Sequence, residues 1–174
     1  MDTPDKIYIE SEEEDWDETK VAKKKVRLLV FMLGDETYCV DVRQAKEVMR
    51  MPGTTRVPNV PPFVVGVANL RGEIISILEL HYFFGVEPKG KTRDARIIIT
   101  DVSGENIGLM VDQVKDTLEI EEECIQEPLA TLKGKLADCT QGQISLGNDI
   151  LIFLDLERVL QNDEIRSLRK GRSV

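Results

Sequence analysis

Two apolar runs of strand length occupy the middle of the chain, with only three residues between them. They span Val64 to Leu70 and Ile74 to Leu80, on either side of Arg71-Gly72-Glu73. Runs of this length around a turn that contains glycine predict a buried β-hairpin. Because proline cannot donate to a strand ladder, the proline-rich segment Val57 to Pro62 is predicted to precede the first strand.

The residues before this hairpin show both strand and helix patterns. Val26 to Leu33 and Tyr38 to Val42 are predicted strands, because they are rich in apolar and β-branched residues and flank a Gly-Asp turn. The apolar positions of Arg43 to Met49 have i, i+3, i+4 spacing, which predicts a short helix with Glu47 on its outer face. A short strand at Thr54–Val57 and a helical turn at Tyr82–Phe84, ended by Gly85, complete this half.

The second half repeats the pattern of short strands separated by turns. Loops are predicted at Glu121–Pro128 and Thr131–Gly142, a helix at Leu156–Leu160, and a frayed tail from Ile165 to Val174. The predicted strands are Ala95–Val102, Ile107–Val111, Asp112–Ile120, Gln143–Leu146 and Ile150–Leu154.

About ten short strands with a few short helices indicate an all-β fold of the barrel or sandwich class. Two five-stranded barrels divide these strands evenly, and each is too small to be stable alone, so a shared core is expected. The predicted organisation is an N-terminal arm at residues 1–24, a β-rich body at 25–160 and a C-terminal helix and tail at 161–174.

The negative charge is concentrated in the N-terminal arm. The whole chain has a net charge of -9, and residues 1–18 carry nine acids and one lysine, a balance of -8. This composition predicts a disordered, solubilising arm, although Ile7, Tyr8, Ile9 and Trp16 leave docking on a partner as an alternative. The body is then close to neutral, which argues against a nucleic-acid partner, since nucleic acids are bound by clusters of Lys and Arg.

The chain has no sequence signal for a membrane or for secretion. Its apolar runs are far shorter than the roughly 18 residues of a membrane span, and Met1 is followed by acids rather than by a basic, then apolar, leader. No membrane insertion is expected, and the protein is predicted to be cytoplasmic. Cys39, Cys124 and Cys139 show no CxxC spacing, which fits reduced thiols.

No motif in the chain specifies a catalytic site. Neither GxxxxGK[ST] nor GxGxxG is present, and the acids of the body cluster in predicted turns. His81 is the only histidine, whereas zinc sites and catalytic triads depend on histidine. An enzyme hypothesis would therefore depend on His81 or Cys39, both of which are better interpreted as packed residues. No cofactor or metal is expected.

Three blocks in order resemble the CheW family of bacterial chemotaxis coupling proteins. They are GDETYCVDVRQAKEV, RVPNVPPFVVGVANLRGEIISILEL and IGLMVDQVKD, and the resemblance covers about residues 25–160. It implies two intertwined five-stranded SH3-like β-barrels without catalysis. It also implies an adaptor that joins the histidine kinase CheA, through its CheW-like regulatory domain, to the cytoplasmic tips of chemoreceptors. An adaptor of a non-flagellar pathway, in surface motility or regulation, is the alternative.

The resemblance also implies which residues bind the partners. Family positions associated with receptor and array contacts correspond to Ala45, Glu47, Gly66 and Arg71. Glu47 offers a carboxylate and Arg71 a bidentate guanidinium for ion pairs with a receptor helix. Two alternatives remain open, because Arg71 can instead cap carbonyls of its own hairpin and Gly66 can serve close backbone approach.

A loop in the second half departs from the family pattern. In the family, this loop is associated with a second kinase or ring contact, and it often contains an arginine and an aromatic residue. This chain has neither, and its candidates for that contact are Gln126 and Thr131. Other departures are Cys39, Ser76 and the sequence Glu79-Leu80-His81. The changed loop implies a weakened contact or a diverged partner.

Overall fold

Ten strands arranged in two five-stranded sheets form the framework of the computed structural model, which describes residues 22–88 and 93–170. The predictions for the acidic arm before residue 22, for positions 89–92 and for the last four residues lie outside the described residues. The strands are β1 (Lys25–Leu33), β2 (Glu36–Asp41), β3 (Glu47–Arg50), β4 (Val64–Leu70), β5 (Glu73–Glu79), β6 (Arg96–Val102), β7 (Glu105–Val111), β8 (Gln113–Glu121), β9 (Thr140–Leu146) and β10 (Asp149–Leu154).

Short helical segments connect the strands. Two are 3₁₀ turns, at Val42–Gln44 and Glu122–Cys124, and the α-helices are α1 (Leu80–Phe84), α2 (Gly134–Cys139), α3 (Leu156–Leu160) and α4 (Asp163–Lys170). The predicted helical turn after the central hairpin is confirmed as α1, and Gly85 ends it in the left-handed conformation. None of the described helices is both long enough and apolar enough to span a bilayer.

The two halves of the chain exchange strands. Sheet 1 has the order β8-β1-β2-β10-β9, and sheet 2 has the order β3-β6-β7-β5-β4. Exchanging each strand for the one five places away in the chain converts one order into the other, so the topology is an internal duplication. Each half supplies two strands to one sheet and three to the other. The predicted intertwined, mostly β fold with five strands in each unit is therefore confirmed.

Each sheet has two edge strands that are joined at one point. Thr55, after β3, bridges Val67 of β4, and Gln126, after β8, bridges Gln143 of β9. Among the described residues, strand ladders do not otherwise connect β3 to β4 or β8 to β9. In each sheet, a single bridge thus joins the two edge strands that would have to pair fully to close a barrel.

A shared core lies between the two sheets, as the sequence predicted. Leu29, Phe31 and Leu33 of β1 contribute to it, whereas Leu28 and Val30 point into a smaller core that belongs to sheet 1. This alternation is the period of two expected for a strand with both faces buried. Sheet 2 has its own small core, formed by Ala68, Ile75, Ile77, Ile97 and Ile99.

The predicted helix over Arg43–Met49 is wrong, and this changes the setting of Ala45 and Glu47. Asp41 accepts a hydrogen bond from the Arg43 backbone N–H at 2.9 Å and begins a 3₁₀ turn that ends at Gln44. Glu47–Arg50 then pairs with β6 as an edge strand. Pairing with a distant strand overrides the local helical spacing, which is a weak preference over so few residues.

Three smaller predictions also need correction. Thr54–Val57 contributes a single bridge rather than a strand. The predicted loop Thr131–Gly142 contains α2, whose Cys139 is buried. The predicted frayed tail begins with Ile165, which is only 1% exposed and packs into the shared core from α4. The helix predicted at Leu156–Leu160 is confirmed as α3.

Candidate interaction surfaces

Arg71 is held away from the sheet by the turn between β4 and β5. Leu70 pairs with Glu73, and the two residues between them, Arg71 and Gly72, have φ values of 53° and 87°. Two consecutive positive φ values in a two-residue loop are typical of a type I′ turn. The Asn69 side chain supports this turn by accepting a hydrogen bond from the Gly72 N–H at 3.0 Å.

Glu47 and Arg71 form a bidentate ion pair with each other. Arg71 Nη2 donates to Glu47 Oε1 at 2.7 Å, and Nη1 donates to Oε2 at 3.0 Å. The hydrogen bonds from Arg71 hold the pKa of the Glu47 carboxyl below its usual range, so this carboxyl is ionised at neutral pH. The pair connects edge strand β3 to the hairpin that contains the other edge strand of sheet 2.

The ion pair is accessible to another molecule mainly through Arg71, which is the more exposed of the two side chains. The Arg71 side chain is 79% exposed, whereas that of Glu47 is 35% exposed. A guanidinium has five N–H donors, and Glu47 occupies two of them. Within the described chain, the side-chain hydrogen bonds of Arg71 go to Glu47 rather than to carbonyls of its own hairpin. Arg71 can therefore donate hydrogen bonds to a second carboxylate while it keeps those to Glu47.

Ala45 and Gly66 lie beneath this surface rather than on it. Ala45 is half-buried against the shared core, and its backbone N–H donates to the Val42 carbonyl at 3.2 Å. Gly66 is buried, and a Cβ built on it would lie 2.3 Å from the Thr55 carbonyl oxygen. The alternative that Gly66 serves close backbone approach thus has direct support in the geometry. Ala45 lies two residues before Glu47, and Gly66 lies in β4, the strand that leads to the turn with Arg71.

Polar side chains and one exposed isoleucine lie on the strands next to the Glu47–Arg71 pair. Lys46 Nζ donates to Asn106 Oδ1 at 3.1 Å, and Asn106 Nδ2 donates to Glu73 Oε2 at 2.8 Å. Ile74, beside Glu73 on β5, is 55% exposed. The Ile74 side chain offers an apolar contact on the hairpin whose turn carries Arg71.

A second hairpin, formed by β9 and β10, presents two exposed apolar residues. Leu146 is 47% exposed and Ile150 is 46% exposed, on either side of the turn. Gln126 lies beside this hairpin, since its backbone pairs with β9 and its side-chain oxygen accepts a hydrogen bond from Ser145 Oγ at 3.2 Å. Thr131 is exposed in the next turn.

Ile74 and Ile150 occupy equivalent positions in the duplicated topology. Each is the second residue of the later strand of its hairpin, and they pair with Asn69 and Ser145 respectively. Sequence reasoning missed both as surface residues because each is followed by another apolar residue, Ile75 or Leu151, that is buried. Their position next to a turn could have indicated exposure, because the end of a strand extends beyond the core.

The two candidates for catalysis are enclosed within the fold. His81 is 1% exposed, and its Nε2 lies 2.8 Å from Asp112 Oδ2, which also accepts the Gly34 N–H at 2.7 Å. Burial raises the pKa of the Cys39 thiol to about 12, so it stays protonated and is a poor nucleophile. In residues 22–88 and 93–170, no three His, Cys, Asp or Glu side chains are grouped to hold a metal ion.

Comparisons with known proteins agree on one family. The family model described as "CheW-like domain" matches residues 27–164. The chain is 28% identical to the chemotaxis protein CheW of Treponema pallidum, over 85% of this chain and 89% of that protein. It is 30% identical to CheW of Klebsiella aerogenes, over 79% and 82% of the two chains. A relative named Protein PilI, from Pseudomonas aeruginosa, is 27% identical over 71% and 69%.

A solved structure supports the same relationship. The crystal structure of the scaffolding protein TtCheW from Thermoanaerobacter tengcongensis matches this fold with a TM-score of 0.73 and 30% sequence identity. The match covers 82% of this chain and 92% of that protein.

Proposed function

Because the chain belongs to the CheW-like domain family, we propose that it is a non-catalytic adaptor that couples the cytoplasmic tips of chemoreceptors to the histidine kinase CheA. The observation that carries the proposal is the presence of two separate exposed surfaces on one rigid fold. One is the Glu47–Arg71 pair with Ile74, at the end of sheet 2. The other is the β9–β10 hairpin of sheet 1, with Gln126 beside it. An adaptor requires two such surfaces.

The Glu47–Arg71 surface is the proposed receptor site. A receptor tip is a helical hairpin, so its apolar face would contact Ile74 while one of its carboxylates pairs with the unused donors of Arg71. Ala45 and Gly66 would act indirectly, by fixing β3 and β4 at the distance that lets Glu47 hold the guanidinium. In this arrangement the intramolecular pair orients Arg71 before the receptor arrives, which reduces the entropy lost on binding.

The β9–β10 hairpin and the adjoining loop with Gln126 and Thr131 are the proposed kinase site. Leu146 and Ile150 supply apolar area, and Gln126 and Ser145 supply polar groups at its margin. The regulatory domain of the kinase is itself CheW-like, so it is expected to present a similar hairpin. Binding both partners would favour one arrangement of kinase and receptor, which shifts populations without a chemical step. The site of action would be the cytoplasmic side of membrane-associated receptor arrays.

Co-sedimentation with a kinase regulatory domain and a receptor-tip fragment tests the proposal. Arg71→Glu is expected to lose the receptor fragment and keep the kinase domain, and Ile150→Lys is expected to do the reverse. Lys23→Glu is the matched control, because it also reverses an exposed, ion-paired charge, at 3.4 Å from Glu121, but lies on neither surface. Loss of both partners by a well-folded Arg71→Glu variant would contradict the assignment of two separate sites.

Exchanging the two charges separates binding from folding. The double variant Glu47→Arg/Arg71→Glu can re-form an ion pair between β3 and the hairpin, so its thermal unfolding should match that of the wild type. It is nevertheless expected to fail to bind the receptor, since the exposed member of the pair is now an anion. Recovery of receptor binding in this double variant would show that the pair has only a structural role.

The second candidate function is the same adaptor role in a non-flagellar chemosensory pathway, in surface motility or regulation. It is favoured by the match to a relative that carries a name other than CheW. Binding to kinase regulatory domains from different chemosensory pathways, measured side by side, distinguishes the two candidates.

A further inference from the structure

The chain passes between the two sheets at two equivalent junctions, and each junction is bonded to a helix. Asp112 is the single residue between β7 of sheet 2 and β8 of sheet 1, and its duplicate is the turn between β2 and β3. In that turn, Gln44 Nε2 donates to Asp155 Oδ1 at 2.8 Å, and Gln44 Oε1 accepts the Leu156 N–H at 2.9 Å, at the start of α3. Asp112 Oδ2 lies 2.8 Å from His81 Nε2 in α1, the helix equivalent to α3. We call these contacts the glutamine joint and the histidine joint.

The histidine joint holds an end of sheet 2 against sheet 1. Asp112 Oδ2 accepts a second hydrogen bond, from the Gly34 N–H at 2.7 Å, and the Asp112 N–H donates to the Met32 carbonyl at 3.0 Å. Met32 and Gly34 belong to β1 and the turn after it, in sheet 1, whereas α1, which contains His81, directly follows β5 of sheet 2. A change in the bonding of the His81 ring therefore changes a contact between the sheets.

The second ring nitrogen of His81 is buried without a hydrogen bond. Among the residues that the structure describes, Nδ1 has no partner, and Glu79 Oε1 lies 3.6 Å away, beyond hydrogen-bond distance. Because an ionised carboxylate can only accept, the contact with Asp112 places the proton of a neutral ring on Nε2, and Nδ1 then has only a lone pair. A neutral His81 thus leaves a buried acceptor unsatisfied next to a carboxylate, which costs free energy.

The other titratable groups on the elements around α1 do not approach the ring as closely. Helix α1 lies against β5, β7 and α2. Glu73 and Glu105 are at the far ends of β5 and β7, roughly 15–20 Å along the strands. On α2, Lys135 Nζ lies 2.8 Å from Glu164 Oε1, and burial raises the pKa of the Cys139 thiol to about 11, so the thiol stays neutral. The remaining acids of the nearby turns and of α2 are exposed: Asp35, Glu36, Glu87 and Asp138.

We propose that His81 is a proton-operated clamp between the two sheets. Uptake of one proton from solvent at Nδ1 gives the ring a second donor, which closes the 3.6 Å gap to Glu79 Oε1 while Nε2–H stays on Asp112. Histidine is the side chain whose charge ordinarily changes between pH 5 and 8, whereas the amide of Gln44 takes up no proton. One of two equivalent joints therefore responds to pH and the other does not. The clamp acts within the fold, whichever partners the chain binds.

The protons on the His81 ring can be observed directly by NMR. His81 is the only histidine of the protein, so in the untagged chain its ring nitrogens give the only imidazole ¹⁵N resonances. At about pH 8 we expect their chemical shifts to show a proton on Nε2 alone, and at about pH 5 a proton on both nitrogens. A proton on Nδ1 alone at the higher pH would overturn the proposal. So would a ring that stays neutral at the lower pH while the fold is intact.

Substitution at Glu79 tests where the second proton is bound. In Glu79→Gln, the amide can donate to the neutral Nδ1, and the carboxylate that would accept from the protonated ring is gone. The midpoint of the His81 titration should move to lower pH by about one unit, as expected for the loss of one hydrogen bond between charged groups. Glu87→Gln is the matched control, because it removes an exposed carboxylate just after α1 and should leave the midpoint unchanged. Equal midpoints in Glu79→Gln and the wild type would overturn the clamp.

Hydrogen exchange of backbone amides measures whether the clamp tightens the joint. The Gly34 N–H reports it directly, since it donates to Asp112 Oδ2. In His81→Gln, an amide replaces the ring, as in the glutamine joint, so this variant holds Asp112 without a response to pH.

The ratio of protection in the wild type to that in His81→Gln removes the effect of pH on exchange itself. For Gly34 this ratio should be about tenfold greater at pH 5 than at pH 8, because the protonated ring adds one hydrogen bond between charged groups. For the Leu156 N–H of the glutamine joint the ratio should be the same at both pH values. An equal rise at both joints would show a global effect on stability, and no rise at Gly34 would show no clamp; either result would overturn the proposal.

Discussion

Gly66 and Gly142 occupy equivalent positions in the two edge strands β4 and β9, and in both places a backbone crosses at very short range. A Cβ on Gly66 would lie 2.3 Å from the Thr55 carbonyl oxygen, and one on Gly142 would lie 2.8 Å from that of Gln126. Thr55 bridges the two edge strands of sheet 2, and Gln126 bridges the two edge strands of sheet 1. Glycine at these positions therefore lets the edges meet, and Gly66 indirectly places Arg71 next to Glu47.

Replacing Gly66 by alanine is predicted to destabilise the fold by about 1–3 kcal/mol, because the obstructing atom belongs to the backbone and has no rotamer to change. Its φ of 153° adds strain for a residue with a Cβ. Urea denaturation measures the effect. Gly53→Ala is the control, since Gly53 is exposed and a Cβ added to it would meet no other atom within 4 Å. Equal stability of the two variants would contradict this explanation.

At the level of single elements, the hairpins were predictable from sequence and β3 was not. The β4–β5 hairpin is encoded locally, by two apolar runs and a turn with glycine. In contrast, β3 has only four residues, and it is a strand because it pairs with β6 about fifty positions later, as in Glu47 with Ile99. The spacing of apolar residues within β3 gives no information about its pairing with β6. Helix α2 was missed for a related reason, because Gly134, interpreted as a loop residue, begins it.

The candidate site was predicted only in part for the same physical reason. Sequence reasoning identified Glu47 and Arg71, but it expected them to pair with another molecule, with capping of its own hairpin as the alternative for Arg71. Their mutual pair depends on the path of β3, which brings together residues 24 positions apart. The exposed Ile74 and Ile150 were hidden within apolar runs, since a continuous run does not reveal which residue of a strand extends beyond the core.

Helix α4 yields the prediction that belongs to this scale. Ile165 is 1% exposed and packs into the shared core, so Ile165→Ala should destabilise the fold by about 2–5 kcal/mol, through lost burial and the cavity left behind. A frayed tail would show almost no effect. Arg166→Ala, an exposed position in the same helix, is the control. Thermal or urea unfolding of both variants decides whether α4 is part of the cooperative unit.

At the scale of the whole molecule, the exchange of strands makes the two halves depend on each other. Strand β1 pairs with β8, β2 with β10, β3 with β6 and β5 with β7, so these four ladders each join one half to the other. Only the hairpins β1–β2 and β4–β5 are internal to the first half. Each sheet therefore contains strands from both halves of the chain, so a perturbation of one sheet acts on both halves.

Fragments 1–88 and 89–174 should consequently be unable to fold separately. Each would retain two isolated hairpins, which are at best marginally stable in water, and would expose half of the shared core. Equimolar mixing should restore the sheets, because every missing ladder is then available. Circular dichroism of each fragment and of the mixture tests this. Cooperative unfolding of either fragment alone would mean that the duplicated halves are independent domains, and that the exchanged strands contribute little to stability.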